Sequence, residues 1–230
     1  MSLAVFSNRF ITETATYSPM VAKPMEATRG ACCTHTFINE QAGKILFNDG
    51  YIKVFKFFNM FASQLDEGVV WVDSGLKSAC HYYDPDTGSG MLFWPSAVEK
   101  CSDFFSKAMN MWQRKKHNHA MFFLGAAVHL VQDLCVPHHA VCKVLGSHLR
   151  FENWVEKRKF NYRVDIGGIY DLSDNPRDWI VENAKYSKNY FFKVEDNSPE
   201  GYHVATTALL PRAQQTTAGL LLLFYNIVNM

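Results

Sequence analysis

Apolar residues recur at intervals of three and four along most of this chain, and the period-two alternation typical of half-buried strands is nearly absent. Intervals of three and four place side chains on one face of an α-helix, so they predict helices that bury that face. Phe151, Trp154, Val155 and Arg158, for example, would share such a face. The sequence therefore predicts an all-α fold.

Prolines and turn residues divide this pattern into separate helical segments. Pro137 would stop the helix that contains His129, because proline lacks the backbone donor that a helix interior needs. The turn-rich residues 84–90 predict a loop. The predicted helices span residues 37–47, 52–65, 95–114, 119–134, 146–160, 176–190 and 203–228, with Pro95 opening the third and Pro211 kinking or dividing the last.

The composition is that of an ordinary globular protein, with 48% hydrophobic and 20% charged residues over 230 positions. The net charge of +1 gives no electrostatic footprint for a nucleic acid, so no nucleic-acid partner is expected. The longest apolar run, within residues 121–131, is interrupted by His129 and is far shorter than the roughly 20 residues that a membrane span needs. We therefore expect no transmembrane segment.

The amino-terminal part of the chain differs from the rest. Residues 1–31 are polar and are broken by Pro19 and Pro24, which predicts an irregular segment, either a leader or an extension. No charged-then-apolar stretch typical of a secretory signal is visible there. Residues 32–230 are expected to form one domain.

Histidines are concentrated in one part of the chain, since seven of the nine lie between positions 81 and 148. Histidine is the commonest metal ligand among side chains. The six cysteines, at positions 32, 33, 80, 101, 135 and 142, contain no Cys-x-x-Cys pair and fit either up to three disulfides or six buried thiols. The clustering indicates a metal site built from imidazole rather than thiolate.

Two pairs of possible ligands have the spacing of one helical turn. His129 and Asp133 are four residues apart on one predicted helix, and His148 and Glu152 are four apart on the next. Each pair alone also fits a plainer structure, which is a buried hydrogen bond for the first and a solvated helix face for the second. A metal explains both pairs together.

Further histidines and a carboxylate extend this set. His139 follows the break at Pro137, where a short turn can direct its side chain back toward His129, and His138 would then point elsewhere. The complete set contains five histidines and three carboxylates, which are too many for one tetrahedral zinc and suit two or three bridged ions. These eight residues are His35, Asp73, His81, His129, Asp133, His139, His148 and Glu152.

Four segments together resemble the signature of the bacterial zinc-dependent phospholipase C family, which includes the alpha-toxin-type enzymes. The resemblance runs in order from about residue 33 to 160 and is specific in combination. It implies a multi-helix single domain of the type shared by zinc phospholipases C and zinc nucleases. The segments are Thr34-His35, His81-Tyr82-Tyr83-Asp84-Pro85-Asp86-Thr87, Leu124-Gly125-x3-His129-x3-Asp133-x3-Pro137-x-His139-Ala140, and His148-x3-Glu152-Asn153-Trp154.

The resemblance also implies a role for each ligand. The ligands of a first zinc would be Asp73, His81, His129 and Asp133, those of a second His139, His148 and Glu152, and those of a third His35 and the bridging Asp133. Asp73 would also activate the attacking water. The implied reaction is hydrolysis of the glycerol-side phosphodiester of phospholipids to diacylglycerol and a phosphorylated headgroup. The resemblance further implies a monomer in the extracellular space or cell envelope, with peripheral membrane contact at most.

Two other functions stay open. A single-strand-specific zinc nuclease of the same fold uses similar metals, although its family has an aspartate at the position of Glu152 and a Trp-His pair where this chain has Thr34-His35. A catalytically degenerate, metal-stabilised binding domain is the other alternative. The phospholipases begin with a tryptophan that completes the third zinc site, whereas no tryptophan precedes Trp71 here. Either the native chain is cleaved near Met25, where that tryptophan would fall by spacing, or the third site is built differently here.

Overall fold

The structure, a computed structural model, describes residues 29–144 and 146–229, with side chains from residue 34 onward except those of residues 75 and 76. This part of the chain contains ten α-helices and no β-strand, which confirms the all-α prediction. None of these helices combines the length and apolar character that crossing a bilayer needs. The helices are α1 (Arg29–Asn48), α2 (Ile52–Asn59), α3 (Ala62–Val72), α4 (Ala97–Gln113), α5 (His117–Asp133), α6 (Pro137–Ala140), α7 (Ser147–Glu156), α8 (Pro176–Lys188), α9 (Phe191–Val194) and α10 (Pro199–Val228), with 3-10 helices at Gly75–Cys80 and Lys159–Tyr162.

Helix α5 lies at the centre of the fold. Every residue from Leu124 to Asp133 is buried. Helices α3 and α4 pack along it, and α1, α8 and α10 contact it as well. Because this part of the helix is buried on all sides, its polar residues His129, Gln132 and Asp133 need partners inside the protein.

Helices α3 and α5 approach each other through a pair of glycines. A Cβ atom on Gly68 would lie 2.9 Å from the carbonyl carbon of Phe122, and one on Gly125 would lie 2.9 Å from that of Leu65. Both distances are below the 3.0 Å that real Cβ contacts respect. The two backbones therefore touch, and the end of α3 at Val72 and Asp73 is held beside α5.

The prediction of one helix over residues 52–65 is wrong, because α2 ends at Asn59 and α3 begins at Ala62. Phe61 at the break has φ −121° and ψ 16°, outside helical geometry. Its ring packs against Phe57 and Trp112, with centroids 5.8 and 6.1 Å away. Since tertiary packing sets this break and no glycine or proline marks it, the local sequence does not show it.

Several other helix boundaries also differ from the prediction, and α7, for example, ends at Glu156 instead of at residue 160. Pro95 does not open α4, because Ser96 is the N-cap and Ala97 begins the helix. The Ser96 hydroxyl accepts from the backbone N–H of Glu99, and the Glu99 carboxylate accepts from that of Ser96, which forms a capping box. Pro211 lies inside α10, which begins at Pro199 and is not divided there. Helix α1 begins at Arg29, and the rest of the irregular segment predicted over residues 1–31 lies outside the described residues.

Candidate metal centre

Asp133 lies at the centre of a buried cluster of histidines, and it is 2% exposed itself. Its Oδ2 atom is 2.8 Å from His81 Nδ1 and 3.0 Å from His129 Nε2. Its Oδ1 atom is 3.3 Å from His35 Nε2. The two carboxylate oxygens thus face different histidines, which is the arrangement of a carboxylate that bridges two positions.

Three groups of possible ligands surround this carboxylate. In each group the ligand atoms lie within 4.8 Å of one another. All eight residues predicted from the sequence belong to a group, and His129 belongs to two. The groups are Asp73, His81 and His129; His139, His148 and Glu152; and His35, His129 and Asp133.

The groups combine side chains from six separate elements. The i, i+4 spacing aligns His129 with Asp133 at the end of α5, and His148 with Glu152 on α7. His139 comes from the short helix α6 that Pro137 opens. Asp73 is the C-cap of α3, His81 follows the 3-10 helix Gly75–Cys80, and His35 lies on α1.

Hydrogen bonds at the far side of the rings orient several histidines. His81 Nε2 donates to the carbonyl oxygen of Val72 at 3.2 Å, which leaves Nδ1 facing Asp133. His139 Nδ1 donates to the carbonyl oxygen of His81 at 3.0 Å, which leaves Nε2 facing His148 and Glu152. Metal-ligating histidines are typically held in this way by an acceptor at the other ring nitrogen.

A bound cation explains the short distances inside the groups better than direct contacts between the side chains do. His139 Nε2 and His148 Nε2 are 3.0 Å apart, and His148 Nε2 is 2.9 Å from Glu152 Oε1. Ligand atoms ~2.0–2.1 Å from a tetrahedral zinc are about 3.3 Å apart. Asp133 Oδ2 and His129 Nδ1 are both buried without a hydrogen-bond partner, although Oδ2 lies close to two imidazole nitrogens. Imidazole and carboxylate ligands without thiolate suit zinc.

Burial and neighbouring groups set the protonation states of these ligands. Burial lowers the pKa of His129 to about 4, so this imidazole is neutral at neutral pH. Burial raises the pKa of the Asp133 carboxyl, but its interactions with His129, His139 and His35 outweigh burial and hold that pKa well below its usual value. Burial also lowers the pKa of His35, yet its hydrogen bond to Asp133 raises the net value to about 9 without a metal. An ion at His35 would therefore displace a proton.

The other histidines lie outside the three groups. His138 is buried, its Nε2 contacts Ser147 Oγ at 2.8 Å, and its ring stacks on that of His148 with centroids 5.0 Å apart. It packs against the candidate ligand His148 and does not point into the metal centre, as predicted from the inward orientation of His139. The other three histidines, His117, His119 and His203, are exposed.

Sequence reasoning missed Gln132, which is 1% exposed and lies between the ligands of α5. Its amide contacts His35 Nδ1 at 2.8 Å. Its position next to Asp133 was the available signal, but the contact depends on how α1 packs against α5. The four cysteines with described side chains, at positions 80, 101, 135 and 142, are all free thiols.

Comparison with known proteins places these features in a family. Residues 34–203 match the model of a family described as zinc dependent phospholipase C. A phospholipase C of Bacillus cereus is 30% identical over 159 residues, covering 63% of this chain and 56% of the relative. A phospholipase C of Listeria monocytogenes is 28% identical over 217 residues, covering 82% of this chain and 75% of the relative.

A solved structure shares the fold. An alpha toxin from Clostridium absonum superposes with a TM-score of 0.78 at 23% identity, covering 89% of this chain and 66% of that chain. This likeness shows the architecture alone. The chain spans about half the length of the first curated relatives, 56% of the Bacillus cereus protein and 44% of a phospholipase C from Paraclostridium bifermentans.

Proposed function

Because this chain belongs to the zinc-dependent phospholipase C family, we propose that it hydrolyses the glycerol-side phosphodiester of phospholipids, releasing diacylglycerol and a phosphorylated headgroup. The observation that carries this proposal is the convergence of eight side chains into three ligand groups around Asp133. The family relatives named above are phospholipases C. Family membership also supports an extracellular or cell-envelope monomer that contacts membranes peripherally.

The three groups support three zinc positions. The first would be held by Asp73, His81 and His129 with Asp133 Oδ2, the second by His139, His148 and Glu152, and the third by His35 with Asp133 Oδ1. Bound zinc ions supply a nucleophile near neutral pH, by lowering the pKa of water to ~7, and offset charge that develops on the phosphate. Three divalent ions would outweigh the three carboxylates of the site, so the centre would attract an anionic phosphodiester.

Asp73 is the residue proposed to accept the proton of the attacking water. It is half-buried at the C-cap of α3, and one of its oxygens lies within 4.8 Å of the ligand atoms of His81 and His129. A carboxylate has two oxygens, so one can contact the ion while the other accepts a proton. The glycine contact between α3 and α5 fixes this carboxylate relative to His129.

Elemental analysis of zinc and a headgroup-release assay test the proposal together. We expect three zinc ions per chain in protein purified without chelator or affinity metal, and release of phosphorylated headgroups from vesicles of mixed phospholipids. Two ions would support the first two positions and contradict the one at His35. Absence of zinc after its addition would refute the proposal, as would digestion of single-stranded DNA without headgroup release.

The variant Asp73→Asn tests the proton acceptor. Its hydrolysis rate should fall by ~10²–10⁴-fold, because a positioned general base contributes that much. The matched control is Asp103→Asn on the exposed face of α4, which should keep the wild-type rate. Unchanged hydrolysis by Asp73→Asn with its zinc still bound would contradict the assignment.

A further inference from the structure

Gln132 connects the metal centre to a second helix. Its Oε1 atom is 2.8 Å from His35 Nδ1, on the side of the ring away from Asp133. Its Nε2 atom donates to Asn39 Oδ1 at 2.9 Å and to Thr217 Oγ1 at 3.2 Å. Three hydrogen bonds thus hold a side chain that is itself no candidate ligand.

The connection continues to a carboxylate on α3. Asn39 Nδ2 donates to Asp66 Oδ1 at 2.8 Å. Asn39 and Asp66 are both half-buried and line a groove between α1 and α3. The hydrogen-bonded chain from His35 through Gln132 and Asn39 to Asp66 therefore runs from the metal centre to the edge of the molecule.

The Asp66 carboxylate at the far end decides which group donates and which accepts in each of these hydrogen bonds. An ionised carboxylate only accepts, so Asn39 must turn its NH₂ group toward Asp66 and its oxygen toward Gln132. Gln132 must then donate to Asn39, which leaves its own oxygen facing His35 Nδ1. A proton is consequently required on Nδ1, so Nε2, on the side of Asp133, is the nitrogen that would give up its proton to an ion.

We propose that Gln132, Asn39 and Asp66 are positioning residues that fix His35 with Nδ1 protonated and Nε2 presented to the ion shared with Asp133. The inference rests on the proposed function, because it assigns these residues to the third zinc position. Partners behind a metal-ligating histidine typically change metal affinity by ~10–100-fold when they are removed. Gln132, the residue before the bridging Asp133, would thus orient a ligand without binding the ion itself.

Two variants of Gln132 separate positioning from packing. Gln132→Met keeps the shape of the side chain but removes the acceptor for His35, whereas Gln132→Glu keeps the acceptor and adds a buried charge. If Gln132 positions His35, Gln132→Met should weaken one of the three zinc ions by ~10–100-fold and leave the other two unchanged. Gln132→Glu should not weaken that ion, even with a lower melting temperature, because a carboxylate behind a ligating histidine raises its basicity.

Chelator competition measures these affinities, and cadmium-113 NMR of the substituted protein identifies which ion changes. A structural role for Gln132 predicts the reverse order, with Gln132→Met close to wild type and Gln132→Glu impaired. Equal affinity of the third ion in wild type and Gln132→Met overturns the inference.

The metal-free protein provides a readout that does not depend on zinc. In nitrogen-15 NMR at neutral pH, the His35 Nδ1 proton should exchange slowly in wild type and Gln132→Glu and rapidly in Gln132→Met. Equal exchange in wild type and Gln132→Met would overturn the hydrogen-bonded chain. A wild-type protein that shows slow exchange but binds no zinc would contradict the proposed function and support the hydrogen bonds from His35 to Asp66.

Discussion

The glycine contact between α3 and α5 allows a test of how the fold builds the metal centre. In Gly125→Ala the added Cβ would lie 2.9 Å from the carbonyl carbon of Leu65 and closer still to its oxygen. The obstacle is backbone, so a side-chain rotation cannot relieve it. The two helices must separate by about 1 Å, and Asp73 at the end of α3 must move relative to His129 on α5.

The size of the effect follows from this displacement. Forcing an extra carbon into a well-packed core costs about 1–3 kcal/mol. For a chain of this size each kcal/mol lowers the melting temperature by roughly 2–4 °C. A misplacement of about 1 Å can also cost ~10²-fold in rate. We therefore expect Gly125→Ala to melt several degrees lower and to lose both affinity for the ion at Asp73, His81 and His129 and most of the hydrolysis.

Gly43→Ala is the matched control, because Gly43 also lies within a helix. Its Cβ would be 3.6 Å from the ring of Phe55, which is an ordinary contact. Alanine exceeds glycine in helix propensity by ~1 kcal/mol, so this variant should melt at or above the wild-type temperature. Melting curves, zinc titrations and headgroup release are compared for both variants. If Gly125→Ala matches Gly43→Ala in all three, the backbone contact does not position the metal centre.

The remaining predictions concern metal content and pH. Asp133→Asn should lose two zinc ions on dialysis and Glu152→Gln only one, measured by elemental analysis, because Asp133 faces two ligand groups and Glu152 one. Chelation should lower the melting temperature, since each ion present at 100 times its Kd stabilises the folded state by ~2.7 kcal/mol. Burial raises the pKa of Asp49, but its hydrogen bonds from Tyr170 and two backbone amides outweigh it and lower that pKa. The stability that Asp49 contributes should be present above its unfolded pKa of ~3.9 and be lost as pH falls through the lower folded value, so the melting difference between wild type and Asp49→Asn should shrink in acid.

The sequence predicted those parts of the site that depend on helix periodicity. The i, i+4 pairs His129–Asp133 and His148–Glu152 follow from local geometry, and the structure brings both pairs into one centre. The distant residues His35 and Asp73 lack such a spacing; they entered the candidate set by residue type, and the family resemblance implied their roles. The assignment of the eight residues to particular ions stays a prediction.

Features that depend on packing between helices were not predictable from the chain alone. The break at Phe61 follows from its aromatic neighbours and from no turn residue. The contacts of Gln132 with Asn39 and Thr217 require a particular rotation of α1 and α10 against α5. Periodicity identifies which face of a helix is buried, but it does not identify the partner that the face meets.

The three ligand groups draw on residues from 35 to 152, and the cysteines with described side chains are free. Ions bound there would act as cross-links. A link between His35 and Asp133 closes a loop of about 100 residues, and in the chain-entropy model such a closure removes ~4.7 kcal/mol of conformational freedom from the unfolded chain. The proposed catalytic centre would thus take the place that disulfides hold in many secreted proteins, and the chain could stay folded under reducing conditions.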